Sequence, residues 1–321
     1  MSLQVSIAPN GNIQPCPYFE DCLNYPSGCS GQSYWCRRVP SEEEKDLKFL
    51  RCGSDNKGEK TKLSIIIPVY NVAPFLRRCL DSVKLTDNMY GEVEVIVVDD
   101  GSTDGSGEIC DEYKDRFEII HQKNGGCCRA RNAGVDATLG DYITHLDSDD
   151  MYVDGAIETM LKIIDKYGDF DMVQFNHLRC NNDGQITRKF LCDHKPYSLK
   201  ELPPYWVVVW NKIYKGSFIR DNNIRFRDGL NFDDDRMYNL ECFNYTNRIQ
   251  CVRDITVLKY FDNEGSICHT LNQDKLLNSS EAMISMLRKG DCPPMVQRII
   301  RECMANAWTS KRYDKFFGGD L

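Results

Sequence analysis

The sequence predicts an α/β fold with a mostly parallel central sheet flanked by helices. Three observations carry that reading. Short β-branched apolar runs alternate with helical spacings from residue 61 to about 180. The runs have the length and composition of strands buried on both faces. Two of them end directly in aspartates. Strands alternating with helices imply βαβ units, and such sheets bind ligands beyond the carboxyl ends of their strands.

The elements follow in order. Leu63 to Val69 (LSIIIPV) is a strand closed by Pro68 and Asn71. From Ala73 to Leu85, the residues Phe75, Leu76, Cys79, Leu80 and Val83 recur at helical spacing, with Pro74 suited to a first turn. Val93 to Val98 is the second strand and runs into Asp99-Asp100-Gly101-Ser102. A short helix over Ser106 to Tyr113, a strand over Phe117 to His121 and a helix over Ala130 to Leu139 follow. Tyr142 to Leu146 is the fourth strand and runs into Asp147-Ser148-Asp149-Asp150. A helix over Gly155 to Tyr167 and a strand over Met172 to Asn176 complete the readable zone.

Composition bounds the function. With 41% hydrophobic and 27% charged residues among 321, the chain is an ordinary globular protein able to bury a sizeable core. A formal net charge of −8 argues against nucleic-acid binding, which needs a basic face. It leaves room for a phosphate ligand whose charge a metal ion balances. No apolar run reaches the ~18–20 residues of a membrane span, and the first residues carry no secretory pattern. The expected location is the cytoplasm, with the inner face of the membrane as a variant. The 16 cysteines are expected as thiols, and Cys79, Cys110, Cys242 and Cys251 fall in apolar segments as small hydrophobes.

The aspartates at the strand ends are the candidate site. If the two strands are neighbours, five carboxylates converge on one rim, a costly arrangement unless it is solvated or neutralised. Hard divalent cations take oxygen ligands, commonly one or two carboxylates with substrate phosphates. The plain alternative is a pair of turns, since Asp, Ser and Gly are turn formers. The position of both tetrads at the ends of parallel strands favours a site.

Four ordered segments then show a family resemblance: SIIIPVYN (Ser64 to Asn71), VVDDGSTDGS (Val97 to Ser106), NGGCCRARNAG (Asn124 to Gly134) and GDYITHLDSDD (Gly140 to Asp150). In order and spacing they resemble the inverting glycosyltransferases of family two, which have the GT-A fold, over about residues 61 to 270. VWNKIYKGSFIRDNNIRF (Val209 to Phe226) is similar to the family's W-x-K-x-Y segment, and NFDDDRMY (Asn231 to Tyr238) to its ED motif, with Asp234 in place of Glu.

The resemblance implies a nucleotide-binding half over 61–180 and an acceptor half over 181–270. It implies that Pro68 and Tyr70 flank the nucleotide base and that Asp100 accepts a hydrogen bond from it, which suits uracil. Asp147 and Asp149 would form the DxD, with Ser148 between them at the nucleotide and Asp149 the firmer ligand of Mn²⁺ or Mg²⁺. Asp235 would be the general base, although the shorter Asp234 beside it leaves the division of labour between the two open. Arg131 and Asn132 either order the nucleotide loop or brace the helix after it. Trp210 and Lys212 either shape the acceptor or diphosphate pocket or pack. His269 lies near the diphosphate or metal or is a structural residue. Asp233-Asp234-Asp235 has a solvated turn as its alternative, and Cys127-Cys128 replaces residues that are usually small, aliphatic or Ser. The implied partners are a nucleotide-sugar donor, UDP-linked by the uracil argument, and a glycan or lipid-linked acceptor.

The ends lie outside the resemblance. Residues 1–60 form a cysteine-rich extension in which Cys16, Cys22, Cys29 and Cys36, with Cys52 beyond, lack the paired knuckles of most zinc modules. Scattered thiols are the default there and a zinc site the alternative. Ser41 with Glu44 reads as a helix start. Residues 271–321 are a helical tail broken by Gly290 and Pro293-Pro294. Its stripe of Met295, Ile299, Ile300, Cys303, Met304, Ala307 and Trp308 is expected to pack on the domain or a partner, or, with Arg298, Arg301, Lys311 and Arg312 beside it, on a membrane surface.

Two other functions compete. A sugar-phosphate nucleotidyltransferase would share the architecture but normally has a glycine-rich loop with a basic residue after the first strand. Here Tyr70-Asn71-Val72-Ala73-Pro74 stands in that place. A binding protein with a dead site is the other alternative, and the complete set of carboxylates speaks against it.

Overall fold

The computed structural model of the chain describes residues 5–7, 13–15, 61–181, 183–190, 196–197, 208–230, 232–246, 248–261, 273–288 and 292–309. They fall in two units, Met1–Gly58 and Glu59–Leu321. In the first unit β1 (Val5–Ile7) pairs antiparallel with β2 (Ile13–Pro15), Val5 opposite Pro15. The cysteines from Cys16 to Cys52 and the helix start at Ser41 lie outside the described residues.

The second unit is built on β3 (Leu63–Val69), buried at every position. Its β-branched run suits a strand covered on both faces. Side chains alternate across a strand, and here they divide two cores. Ile66 joins Cys128, Val135 and Ile143 on one side. Leu63, Ile65, Ile67 and Val69 join Leu76, Leu80 and Met160 on the other.

The crossovers follow the predicted alternation, with ends shifted by a few residues. They are α1 (Ala73–Ser82), β4 (Val93–Asp99), α2 (Ser106–Asp111), β5 (Glu118–His121), α3 (Cys127–Ala137) and β6 (Tyr142–His145). Next come β7 (Met151–Tyr152), α4 (Ala156–Tyr167) and β8 (Met172–Cys180). In α1, Pro74 occupies the first turn and Leu76, Cys79 and Leu80 form the buried face. The second half adds β9 (Ile186–Phe190), β10 (Pro196–Tyr197), β11 (Lys212–Lys215), α5 (Gly216–Asp221), α6 (Asp234–Tyr245), β12 (Ile249–Phe261), α7 (Gln273–Arg288) and α8 (Pro294–Thr309).

One sheet carries the order β10-β12-β8-β11-β6-β3-β4-β5, with β7 added to β12 and β9 to β8. The run β6-β3-β4-β5 is parallel. β11 is antiparallel to both β6 and β8, and β8 is parallel to β12. This is the expected α/β sheet with helices packed on it, a parallel run of four strands extended by a mixed half. One expectation needs correction. The two acid-ended strands, β4 and β6, are not neighbours; both flank β3. At ~4.8 Å per strand their ends stand about 10 Å apart on one rim.

The tail packs on the domain. Ala282, Met283 and Met286 of α7 and Val296, Ile299, Ile300 and Cys303 of α8 are buried with Tyr238, Leu240 and Phe243 of α6, and Met304 packs partly against them. That part of the apolar stripe is therefore spent on the core; the side chains of Met295, Ala307 and Trp308 lie outside the described residues. Among the described residues no helix is long and apolar enough to cross a membrane. Cys79, Cys110, Cys242 and Cys251 are buried thiols, as small hydrophobes are.

Helix α3 lies close on the sheet because Gly134 faces Ile66. A Cβ at Gly134 would collide with Ile66 Cγ2. Gly134→Ala is therefore expected to lower stability by about 1–3 kcal/mol in urea unfolding. Combined with Ile66→Ala, the loss should be smaller than the sum of the two single losses. Full additivity would mean that the two residues do not press on each other.

Candidate functional site

The loops at the carboxyl rim are held by side chains bonded to backbone. After β3, Tyr70 is 48% exposed, whereas Pro68 is buried inside the strand. Asn71 adopts a left-handed φ of 50°, tolerable for Asn. Its N–H donates to Ser102 Oγ at 3.1 Å, and its side-chain oxygen accepts from the Thr103 N–H at 2.8 Å. The Val72 and Ala73 amides donate to Ser106 Oγ and Asp104 at 2.9 and 3.0 Å. The loops after β3 and β4 are thus tied together.

The adjacent aspartates after β4 do different things. Asp99 accepts from the Ser102 N–H at 3.0 Å and lies 2.9 Å from His121 Nδ1. Burial alone would raise the Asp99 carboxyl, but Ser102 and His121 outweigh it and hold it below its ordinary value. The bond to Asp99 raises His121 in turn, against burial. Asp100, 2% exposed, accepts from Gln122 Nε2 at 2.6 Å and from the Gly125 and Gly126 amides at 2.9 and 2.7 Å. Gly126 has a φ of 90°, which only glycine adopts readily, and α3 starts there.

Helix α1 reaches over to the loop after β6. Arg78 donates to the Asp149 carbonyl at 2.6 Å, and the Cys79 thiol points to the Asp147 carbonyl at 3.5 Å. Ser148 and Asp150 are buried, and Asp149 is half-buried. From Met151 the chain turns onto β12, Tyr152 opposite Leu258, so the acidic loop is held at both ends.

The centre of the site is Arg131. Its side chain is 6% exposed and contacts three carboxylates. Nη2 donates to Asp147 at 2.8 Å. Nη1 bonds to Asp234 and lies 3.2 Å from Asp235 Oδ1. Phe226 sits under the guanidinium at 5.3 Å and stacks on Tyr238 at 4.0 Å. Beside them His145 is fully buried, its ring edge-on to Tyr214, Phe226 and Tyr238. Burial, then Arg131, pushes its pKa down to about 3, so the ring stays neutral. Of the two roles open for Arg131, helix bracing is not the observed one: it joins the two acidic clusters. Asn132 does brace, holding the Phe226 backbone through both its amide atoms at 2.8 and 2.9 Å.

At the start of α6 the two neighbouring aspartates differ. Asp234 carries the Arg131 hydrogen bond. Asp235 accepts from the Val209 amide at 3.2 Å. Burial, opposed by Arg131 and reinforced by Asp234 and Asp147, lifts the Asp235 carboxyl to about 7. Asp233 has a φ of 60° and accepts from Arg236 and from Ser279 of α7 at 2.8 and 2.7 Å. The triplet is therefore a bonded helix start, not a solvated turn.

The remaining candidates separate clearly. Trp210 is 7% exposed and meets His177 edge-to-face at 4.6 Å. Lys212 is 1% exposed and donates to the Val208 carbonyl and, at 2.9 Å, to Asn211. Both are built into the packing. Burial lifts both the Cys127 and Cys128 thiols, Cys128 to about 12, which leaves little thiolate for redox chemistry. His269 lies outside the described residues. Sequence reasoning missed the hub role of Arg131, and its signal was present: an arginine between Cys128 and Val135 on the apolar face of α3. It also missed Gln122 and Arg78, which no pattern singles out.

Comparison with known proteins agrees with this geometry. A family model described as glycosyl transferase family 2 matches residues 64–228. The uncharacterised glycosyltransferase EpsJ of Bacillus subtilis (strain 168) is 30% identical over 220 residues, covering 64% of this chain and 62% of its own. Glycosyltransferase GlyG of Streptococcus pneumoniae is 32% identical over 192 residues, covering 54% and 62%. The matches thus span less than two thirds of these relatives. Among solved structures, S. aureus TarS 1-349 in complex with UDP-GlcNAc is similar with a TM-score of 0.67 at 21% identity, covering 81% of this chain and 77% of that one. The mannosyltransferase PcManGT from Pyrobaculum calidifontis, in complex with GDP-Man and Mn²⁺, has a TM-score of 0.53 at 15% identity, covering 82% and 77%. At these identities the likeness shows the fold.

Removing the guanidinium would leave carboxylates facing one another without a counter-charge. Arg131→Met is expected to cost about 3–5 kcal/mol in urea unfolding at neutral pH. The loss should shrink as the pH falls and the carboxylates protonate. The variant should also raise Asp235 above its present value of about 7, because Arg131 lowers it. Carboxyl NMR titration reads that shift, and an unchanged Asp235 would remove Arg131 from this role.

Proposed function

The chain belongs to glycosyl transferase family 2, and from that premise we propose that it transfers a sugar with inversion from a nucleoside-diphosphate donor to a hydroxyl of a glycan or lipid-linked acceptor. The observation that carries this reading is the arrangement about Arg131. One guanidinium has Asp147 on one side and Asp234 and Asp235 on the other. Single displacement needs two separate carboxylate functions, one toward the departing diphosphate and one toward the attacking hydroxyl.

Asp235 is the base. Its carboxyl, lifted to about 7 by burial, is matched to taking a proton near neutral pH. Its Oδ2 is oriented by the Val209 amide. Asp234, bonded to Arg131, keeps the guanidinium in place. As the acceptor hydroxyl attacks the anomeric carbon, its proton passes to Asp235 and the sugar–phosphate bond breaks on the opposite face.

On the donor side, Asp147 and Asp149 fit a hard divalent cation, Mn²⁺ or Mg²⁺. Both are oxygen ligands at one rim, and among the described residues no group of three or more His, Cys, Asp or Glu side chains stands ready to hold a metal. Two carboxylates with substrate oxygens completing the shell is the usual arrangement for such ions. When bound, the cation would neutralise charge on the leaving diphosphate. Tyr70, exposed at the end of β3, offers a ring for the base. Asp100 holds the glycine loop beside the nucleotide through the Gly125 and Gly126 amides, and Ser148 lies buried between the two aspartates. The UDP-GlcNAc and GDP-Man complexes of the two similar structures support a nucleotide-sugar donor. Family membership sets the nucleotidyltransferase alternative aside.

Asp149→Ala and Asp235→Asn are each expected to lower transfer by at least ~10²-fold with the fold intact. Calorimetry with UDP and Mn²⁺ separates the two: Asp149→Ala weakens donor binding and Asp235→Asn does not. Full activity in Asp235→Asn would remove it as the base.

A base with a pKa of about 7 works only deprotonated. The wild-type rate should therefore rise with pH through about 7 and level off above it, as kcat/KM against pH reads. A flat profile from pH 5 to 8 would contradict the assignment.

A further inference from the structure

Two residues of the W-x-K-x-Y segment take no part in the scheme above, yet both lead to its base. Lys212 and Tyr214 stand two apart on β11 and so share one face of the sheet. That face carries α6, since Tyr214 belongs to one core with Tyr238, Leu240 and Phe243. Lys212 is 1% exposed. An ammonium is costly to bury, and an apolar side chain of the same length would fill the space without that cost. Packing alone therefore does not account for the charge.

Its contacts do. Lys212 Nζ donates to the Val208 carbonyl and, at 2.9 Å, to Asn211 Oδ1. The Val208 carbonyl and the Val209 N–H belong to one peptide unit, planar and with oxygen and hydrogen on opposite sides. The Val209 N–H donates to Asp235 Oδ2 at 3.2 Å. A single peptide thus lies between the buried ammonium and the carboxylate. A cation on its carbonyl makes the N–H a stronger donor, because hydrogen bonds in a chain polarise one another. Tyr214 reaches the same residue by a second route. Its hydroxyl donates to Asn239 Oδ1 at 2.9 Å, and Asn239 Nδ2 donates to the Asp235 carbonyl at 2.8 Å.

We infer that Lys212 and Tyr214 are positioning residues for the base: Lys212 holds the Asp235 carboxylate through the Val208–Val209 peptide, and Tyr214 holds the Asp235 backbone through Asn239. Oδ2 is engaged by the amide, and Oδ1 stands 3.2 Å from Arg131 Nη1, so the carboxylate is set from both sides. The Lys-x-Tyr spacing follows, because both supports must rise from one face of β11. This inference rests on the assignment of Asp235 as the base.

The test joins carboxyl NMR titration of Asp235 with calorimetry of UDP and Mn²⁺ binding. Lys212→Met keeps the length of the side chain and removes the charge. The Val209 bond lowers the Asp235 carboxyl, so weakening that bond is expected to raise its midpoint by at least about 0.5 pH over the wild type. UDP binding should be unchanged, and kcat/KM against pH should move the same way as the midpoint. Tyr214→Phe keeps the ring and removes one hydroxyl. It is expected to lower kcat at least about threefold with UDP binding unchanged, and it decides the matter if Lys212→Met does not fold. An unchanged midpoint in Lys212→Met, with or without weaker UDP binding, overturns the inference, as does an unchanged kcat in Tyr214→Phe; the base assignment stands in either case. If Asp235 of the wild type titrates in the ordinary carboxylate range instead of near 7, the base assignment fails and this inference fails with it.

Discussion

Arg131 is the constraint on which the acidic centre depends. Aspartates from the loop after β6 and from the start of α6 meet at one buried guanidinium. Like charges so close, with little water between them, repel strongly. A single buried cation makes the grouping tolerable because its planar fork serves several carboxylate oxygens at once. Lysine would be a point charge without that reach. The fork is itself held from behind, by Phe226 beneath it and by the aromatic wall of Tyr214 and Tyr238 around neutral His145. A charged imidazole there would oppose the guanidinium, and burial prevents it.

That geometry accounts for the different characters of equivalent side chains. Asp234 and Asp235 are neighbours on one helix turn. One is hydrogen-bonded to Arg131; the other, short of that bond, is lifted toward neutral pH by burial and by its acidic neighbours. Asp99 and Asp100 divide in the same way. Asp99 leans on His121 and Ser102, and Asp100 organises the glycine loop that starts α3. The second division leads into the first, since α3 carries Arg131. The Asp100 loop sets where the helix begins, and the contact of Gly134 with Ile66 sets how close it lies to the sheet.

The helical tail belongs to the same construction. Ser279 of α7 bonds to Asp233 at the first turn of α6, and Asn278 donates to the Gly229 carbonyl at 2.9 Å. Buried residues of α7 and α8 close the core beneath Tyr238 and Phe243. The tail therefore supports the segment that presents Asp234 and Asp235, which its apolar stripe alone did not reveal.

Much of this was legible in the chain. The strands β3, β4 and β6 are apolar β-branched runs, α1 and α4 have clear helical spacing, and both acidic loops stand at strand ends in the order that the family resemblance implies. These are local signals, written in period and composition, so the sequence by itself determined the α/β architecture and the rim that carries the candidate site. Only the tertiary structure decided that β3 separates β4 from β6, that Ile299, Ile300 and Cys303 of the tail's stripe are spent on the core, and that Trp210 and Lys212 are packed. Only it joined Arg131 to carboxylates that include Asp234 and Asp235, more than a hundred positions later. Which charge neutralises which depends on distances between segments remote in sequence. Periodicity records the face a residue lies on but not the partner it meets there.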